Sequence, residues 1–522
     1  MERKVSRRIR FFPGIAIAIL SAAILTLLSW VFWQKYSAPQ QLAKFLPADS
    51  TLLFAELQLD DKNLESQRLA QTFANTDGAT LLELDSLGFA DPSELLALSD
   101  QRIGVAFFGE QLDHERFLLV LNTADKVAAL DFLKAQTLEG ENLIEENYLH
   151  QKIYSYPRSR ALSFIFWKND LLLASQTQDL RAIAEAIHIP ERRVSKSASY
   201  RAGIAKLNPR ETGFVYLSEK FIQQVLTAAL GGLRYALATP LIELFSGGAA
   251  TITARPGGIE CDIYLTLKNK FARTPLFPEP IPFAPEVLRF LGEEAETFWA
   301  TTEAAGQLAY FLGSTEKINP AFRLLLEGSA AKFTRDWLGT AFDFENDIAP
   351  LFTGASALGR SRSGAIFGIF LEHGNELADW QTRLVSSTGL LAANPHASVL
   401  PDGSLTRELV VESESAKIDT DLYAGYTITQ LEFPRFPLYL VDLDNQLVFS
   451  TEQETLEAII NHYVAEEKGF ASLVARQSID SGNVFYTRIE SPETLLLQPF
   501  RYALTNLNFT ADGAALNLFL GK

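Results

Sequence analysis

A few stretches of the chain carry residue types at spacings that could do chemistry. Ser329-Ala330-Ala331-Lys332 matches S-x-x-K, the pattern in which a lysine one helical turn from a serine activates it as a nucleophile. That chemistry also needs a K-T-G-like strand, and the sequence has none, so the stretch reads as an ordinary helix start with a solvated lysine. Asp343-Phe344-Glu345-Asn346-Asp347 and Asp442-Leu443-Asp444-Asn445 bring carboxylates together as a calcium loop would. Neither has the glycine and distal glutamate of an EF-hand, and turn formation with solvation accounts for both. The adjacent pairs Asp60-Asp61 and Glu293-Glu294 become an acid–base pair only if a cleft holds them at a working separation.

His114, His150, His188, His373, His396 and His462 are scattered, none at the i, i+4 spacing that puts two imidazoles on one helix face. Cys261, the single cysteine, sits in an apolar strand-like context and reads as an inert core thiol; one cysteine excludes a disulfide framework and a CxxC site. HExxH, G-x-G-x-x-G, Walker and G-x-S-x-G signatures are missing from the sequence. No catalytic, cofactor-binding or metal-binding residue is assigned, and no cofactor is expected.

The elements around these residues begin with a membrane anchor. Residues 11–33, FFPGIAIAILSAAILTLLSWVFW, carry no charge over 23 residues. As a helix they would be about 35 Å long, enough to cross a ~30 Å hydrocarbon core. Pro13 falls in the first turn, and Trp30 and Trp33 at the far end suit the headgroup layer. Residues 1–10 hold five basic residues against one acidic, a net of +4; the other 41 basic and 62 acidic residues give −21. Basic flanks stay cytoplasmic, so the body is expected outside the cytoplasmic membrane, periplasmic or extracellular. The run is too long for a signal peptide and lacks a small-residue cleavage site. A net charge of −17 argues against a nucleic-acid partner.

The body reads as α+β, two tandem similar copies, each a largely antiparallel sheet with helices packed on it. LPADSTLLFAEL from Leu46 answers LGEEAETFWATT from Leu291, and NDLLLASQTQDLRAIAEAI from Asn169 answers DNQLVFSTEQETLEAII from Asp444. GFVYLSE from Gly213 answers NVFYTRIE from Asn483, and both copies close on a hairpin, ATITARPGGIECDIYLTL and LTNLNFTADGAALNLFL. Four blocks in the same order favour duplication. The layout is a basic cytoplasmic tail over 1–10, a transmembrane helix over 11–33, a linker over 34–45, repeat 1 over 46–267, a proline-rich linker over 268–290 and repeat 2 over 291–522. In the first copy, period-2 patterns bounded by turn residues predict strands over 51–57, 102–108, 117–121, 162–167, 171–174, 213–217, 250–254 and 260–267. Helices are expected over 63–72, 125–135, 178–188 and 219–238.

The basic tail, the apolar run, the start Phe45-Leu46-Pro47-Ala48-Asp49-Ser50 and the later LLLAS before an amphipathic helix together resemble a bacterial membrane-anchored family of unknown function, whose extracytoplasmic part opens on P-A-D-[ST]. The second copy departs from that signature with Gly292-Glu293-Glu294-Ala295. The resemblance implies topology and location and transfers no site residue. The expectation is a single-pass envelope protein, non-enzymatic, that binds or scaffolds an envelope protein or a lipid, touching the membrane through residues 11–33. The alternatives are an envelope hydrolase with a dispersed site and a lipid- or peptide-binding groove built from the many aromatics.

Overall fold

The computed structural model describes residues 42–58, 64, 67–68, 98–99, 102–109, 116–136, 142–156, 162–207, 213–230, 243–268, 281–316, 320–338, 342–374, 378–384, 394–400, 404–410, 418–432, 436–465, 469–477, 479, 482–489, 500–510 and 513–521. Among them no helix is long and apolar enough to cross a membrane. The expected anchor over 11–33, the cytoplasmic tail, most of the helix expected over 63–72, Asp60-Asp61 and His114 lie outside the described residues. The described chain is mixed α and β, dominated by antiparallel pairing, and divides into two compact units. The first takes in residues up to Gln67, Glu83–Tyr216 and Thr251–Thr253; the second takes in Arg68–Leu82, Leu217–Ala250 and Ala254–Lys522.

The first unit holds strands β1 (Thr51–Gln58), β2 (Arg102–Phe108), β3 (Phe117–Asn122), β4 (Ile144–Tyr148), β5 (Gln151–Ser155), β6 (Ser163–Trp167), β7 (Asp170–Ala174) and β8 (Gly213–Ser218). Antiparallel pairs run β1–β2, β2–β3, β3–β7, β7–β6, β6–β5 and β5–β4. Strand β8 lies on the other side of β1. Helices α1 (Lys126–Ala135), α2 (Thr177–His188) and α3 (Ala198–Lys206) complete the unit. Asp125 caps α1, its carboxylate accepting the N–H groups of Val127 and Ala128. Leu180 and Ile183 of α2 are fully buried, and α2 packs on β5, β6 and β7. The ring of Phe54 sits 5.6–6.4 Å from those of Tyr200, Phe214 and Tyr216. The β4–β5 hairpin is absent from the strands expected from sequence. It is polar, and its turn at Leu149 and His150 takes positive φ without a glycine to announce it.

A 3-10 turn, Leu42–Lys44, precedes β1. It falls inside the expected linker over 34–45, yet Leu42 and Ala43 are fully buried. The N–H of Leu42 donates to Glu56, a glutamate in mid-strand with no exposed surface. Arg102 joins Glu56 at 3.5 Å to Asp170, which also accepts from Asn122 at 3.0 Å. Charge is tolerated here because each group is paired as it leaves water.

The second unit holds α4 (Glu219–Leu230), β9 (Phe245–Arg255), β10 (Gly258–Leu267), β11 (Ala295–Thr301), α5 (Ala304–Glu316), α6 (Pro320–Leu338), β12 (Ser356–Ser361), β13 (Ile366–Phe370), β14 (Asn394–Val399), β15 (Leu405–Val410), β16 (Ile418–Tyr423), β17 (Tyr426–Glu432), β18 (Pro437–Asp442), β19 (Leu447–Ser450), α7 (Gln453–Val464), α8 (Ala471–Arg476), β20 (Asn483–Arg488), β21 (Tyr502–Thr510) and β22 (Gly513–Gly521). Its antiparallel pairs run β11–β12, β12–β13, β13–β19, β19–β18, β18–β17 and β17–β16. On the other side of β11 the series is β20, β21, β22 and β10. Strands β14 and β15 form a separate hairpin. One apolar cluster joins Phe298 and Ala300 of β11 to Leu456, Ile459 and Ile460 of α7; a second, containing Phe342, Phe370, Trp380, Leu384, Leu431 and Leu440, forms apart from it. The proline-rich run over 269–280 lies outside the described residues. The end of that expected linker, Pro285–Phe290, is a 3-10 helix whose Val287, Leu288 and Phe290 are fully buried, because three apolar side chains there have a core to enter.

Candidate binding cleft

Helix α6 projects Ala331 and Arg335, one turn apart and so on one face. The chain then passes Phe342 and Asp343 into a single π-helical turn, Phe344–Ile348. Asp343 has extended backbone, and its carboxylate accepts the N–H groups of Glu345 and Asn346 at 3.0 and 2.9 Å and the Asn346 amide at 3.0 Å. Asp347 reaches back to accept the Asp343 N–H at 2.6 Å. Its other oxygen receives the Arg383 guanidinium at 2.6 Å, from a helical segment over 378–384. Arg383 also meets Asp379 at 3.5 Å and lies 5.1 Å from the centre of the Phe342 ring. The bond to Asp347 raises the pKa of Arg383 above its ordinary value. Phe342 is itself buried against Trp380, with centroids 5.1 Å apart.

These residues enclose a cleft of about 500 Å³, lined by Ala331, Arg335, Phe342, Asp343, Phe344, Asn346, Asp347 and Arg383. That volume suits a small ligand. Both carboxylates are engaged, one as a cap and one with Arg383. Arg335 differs: it is exposed and makes no ion pair among the described residues. The lining thus offers one unengaged guanidinium beside aromatic rings, with no serine, cysteine or histidine. Such a set can bind and orient a ligand, and its two carboxylates are already bonded within the fold.

The stretches singled out by sequence do not converge on it as a group. Asp343 and Asp347 both line the cleft: Asp343 forms the turn as expected, whereas the Asp347 side chain is largely buried against Arg383 rather than solvated; Arg335 and Arg383 had no distinguishing signal beyond the i, i+4 spacing of Asp379 and Arg383. Ser329 and Lys332 fall inside α6, not at its start, and both are exposed. The helix begins nine residues earlier at Pro320, a residue favoured in a first turn, so Ser329 caps nothing. Asp442–Asn445 forms the β18–β19 turn: Asp442 accepts the Asn445 N–H at 2.7 Å, and Asp444 and Asn445 take φ of 52° and 75°. Asp444 also accepts the hydroxyls of Tyr426 and Tyr463 at 3.1 and 2.8 Å; burial, then this bond, holds Tyr463 up to about 12. Glu294 meets His462 at 3.2 Å. Cys261 is half-buried on β10. No group of three His, Cys, Asp or Glu able to hold a metal occurs among the described residues.

The family of proteins of unknown function DUF3352 matches residues 14–371, more than half of the chain. The chain belongs to that family. The match takes in α6 and the π-helical turn and stops before Arg383. No curated protein matches the chain. Among solved structures, crystal form I of TP0453 is 11% identical over 44% of this chain and 79% of that one, with a TM-score of 0.27. Crystal form IV of TP0453 is 10% identical over 45% and 84%, also at 0.27. Likeness of that size carries no argument about fold or function.

Proposed function

We propose that this member of the DUF3352 family is a single-pass, membrane-anchored protein of the bacterial cell envelope whose extracytoplasmic body binds a partner rather than transforming one. The anchor reading rests on the uncharged run over 11–33 and on the contrast between a +4 tail and a −21 remainder. The binding reading is carried by one observation. The cleft has ligand-sized volume and an unengaged Arg335, while both of its carboxylates already serve the fold.

We infer also that the body is two copies of one unit. The pairings β1–β2, β2–β3, β3–β7, β7–β6, β6–β5 and β5–β4 have counterparts, step for step, in β11–β12, β12–β13, β13–β19, β19–β18, β18–β17 and β17–β16. Each first strand follows a buried 3-10 turn and has a register shift after its first residue, at Thr51/Leu53 and at Ala295/Thr297. Such agreement supports duplication. A crystal structure that put the matched blocks in different strand orders would refute it.

Two experiments test the main reading. Protease added to intact spheroplasts should degrade the body and leave a small anchored fragment; a fully protected body would overturn the topology. Fluorophosphonate and β-lactam probes should leave the purified protein unlabelled. Labelling lost on substitution of one serine would replace the binding reading with a hydrolase.

A further inference from the structure

Strand β16 is paired with β17 alone among the described strands, and its residues 418–422 are all exposed. The pair closes on Ala424-Gly425, both at positive φ, with Tyr423 opposite Tyr426. In that two-residue turn the flanking pair exchanges hydrogen bonds, so alternate residues point their peptide groups inward from Tyr423. The outward set is therefore Ile418, Thr420 and Leu422. The Leu422 N–H agrees: it bonds the neighbouring Asp421 carboxylate at 2.8 Å rather than β17.

The pleat gives this edge two unlike sides. Asp419 and Asp421 lie on the face of their partners Gln430 and Ile428. Ile418 and Leu422, 47% and 71% exposed, lie on the opposite face with Leu431. Strand β4, an edge of the first unit, is a useful contrast. There Glu145 meets Lys152 at 3.4 Å and Glu146 meets Arg181 at 2.7 Å, so the edge acids have cations of their own. Among the described residues Asp419 and Asp421 have no ion pair, and the strand between them has hydrogen-bonding positions that no described strand fills.

We propose that β16 is a docking edge for an extended, cationic segment of a partner protein, which adds a strand to the sheet. Its basic side chains alternate with apolar ones, the first facing Asp419 and Asp421 and the second facing Ile418 and Leu422. Period-2 alternation is what a strand requires to meet both sides at once. A basic side chain at Asp421 draws that carboxylate off the Leu422 N–H, which then pairs with the incoming backbone. A second copy of this chain is disfavoured at the same edge, because it would bring aspartates against aspartates. The proposal is independent of the cleft.

The test uses the full chain in nonionic detergent and a blocked seven-residue peptide alternating lysine and valine, with micelles alone as reference. Binding is expected, weakening with added salt. The double variant Asp419→Asn/Asp421→Asn should lose about tenfold in affinity, the scale of two cross-strand charge pairs. Thr420→Pro should abolish binding while leaving the β16–β17 ladder intact, because the N–H it removes points outward. Circular dichroism checks the fold of each variant, and the double asparagine variant decides the matter if the proline variant misfolds. Equal binding of a glutamate–valine peptide, binding unchanged in the double asparagine variant, or self-association through β16 with no peptide binding would overturn the proposal.

Discussion

Arg102→Met is the most informative single perturbation of the first unit. The arginine side chain is 12% exposed and bridges Glu56, with no exposed surface, to Asp170, at 9%. Methionine keeps most of the apolar stem and removes the charge that both carboxylates face. Breaking a buried pair in this way costs about 3–5 kcal/mol, because a charge is left in a poor solvent. The lower end is expected, about 3 kcal/mol, since Glu56 also acts on the ammonium of Lys44, whose pKa burial lowers and Glu56 raises. Glu56→Gln should cost less, about 1–2 kcal/mol: its amide oxygen still accepts the Leu42 N–H, and Arg102 keeps Asp170. The chain has two units, so one global unfolding midpoint would mix their responses. Native-state hydrogen exchange reads the effect locally. In Arg102→Met the amides of β1 and Leu42 should exchange on the order of 100-fold faster, and those of β20–β22 at their original rate. A change below about fivefold in β1, about 1 kcal/mol, would mean that the network does not hold this edge of the sheet. Equal acceleration in both units would refute the assignment of the network to the first.

Two further outcomes are expected. Ser329→Ala replaces an exposed residue inside α6 with the best helix former, so it should stabilise by up to about 0.5 kcal/mol in denaturant unfolding, not weaken a cap; a loss of about 1 kcal/mol would restore the capping role. Asp262 has its pKa raised, chiefly by burial and further by Glu260, against a lowering hydrogen bond from Asn517. Its contribution is complete below the unfolded carboxylate value and is lost as pH rises through the raised one, so Asp262→Asn should gain stability relative to the parent across that rise; parallel pH–stability curves for the two proteins would refute this.

Element types in the described chain were largely legible. The expected strands over 51–57, 102–108 and 117–121 appear as β1, β2 and β3 with ends moved by at most one residue, since alternating apolar side chains and flanking turns are local signals. The hairpin expected at ATITARPGGIECDIYLTL appears as β9 and β10, and Gly257 between them takes the positive φ that such a turn requires. Hairpin β4–β5 was not readable, because β4 is mostly exposed and carries charge where a strand pattern would show apolar residues, and β5 offers only a short apolar signal around Ile153. The cleft was half legible. Asp343 and Asp347 stood out as an acidic run, but their partner Arg383 is distant in sequence and only packing brings it near.

Taken alone, the sequence determines the uncharged run over 11–33, the charge asymmetry around it, the α+β character of the body and the order of the recurring blocks. All of these are properties of neighbours along the chain. Tertiary structure decided which charges are buried and which edge is left open. Glu56 and Asp419 are both carboxylates within strands, and neighbours along the chain do not specify their partners. One meets Arg102 from the paired strand and the N–H of Leu42 from the preceding turn; the other lies on a strand that pairs on one side alone among the described strands. The free energy of a charge depends on what surrounds it in space, and residues far apart in sequence supply that surrounding.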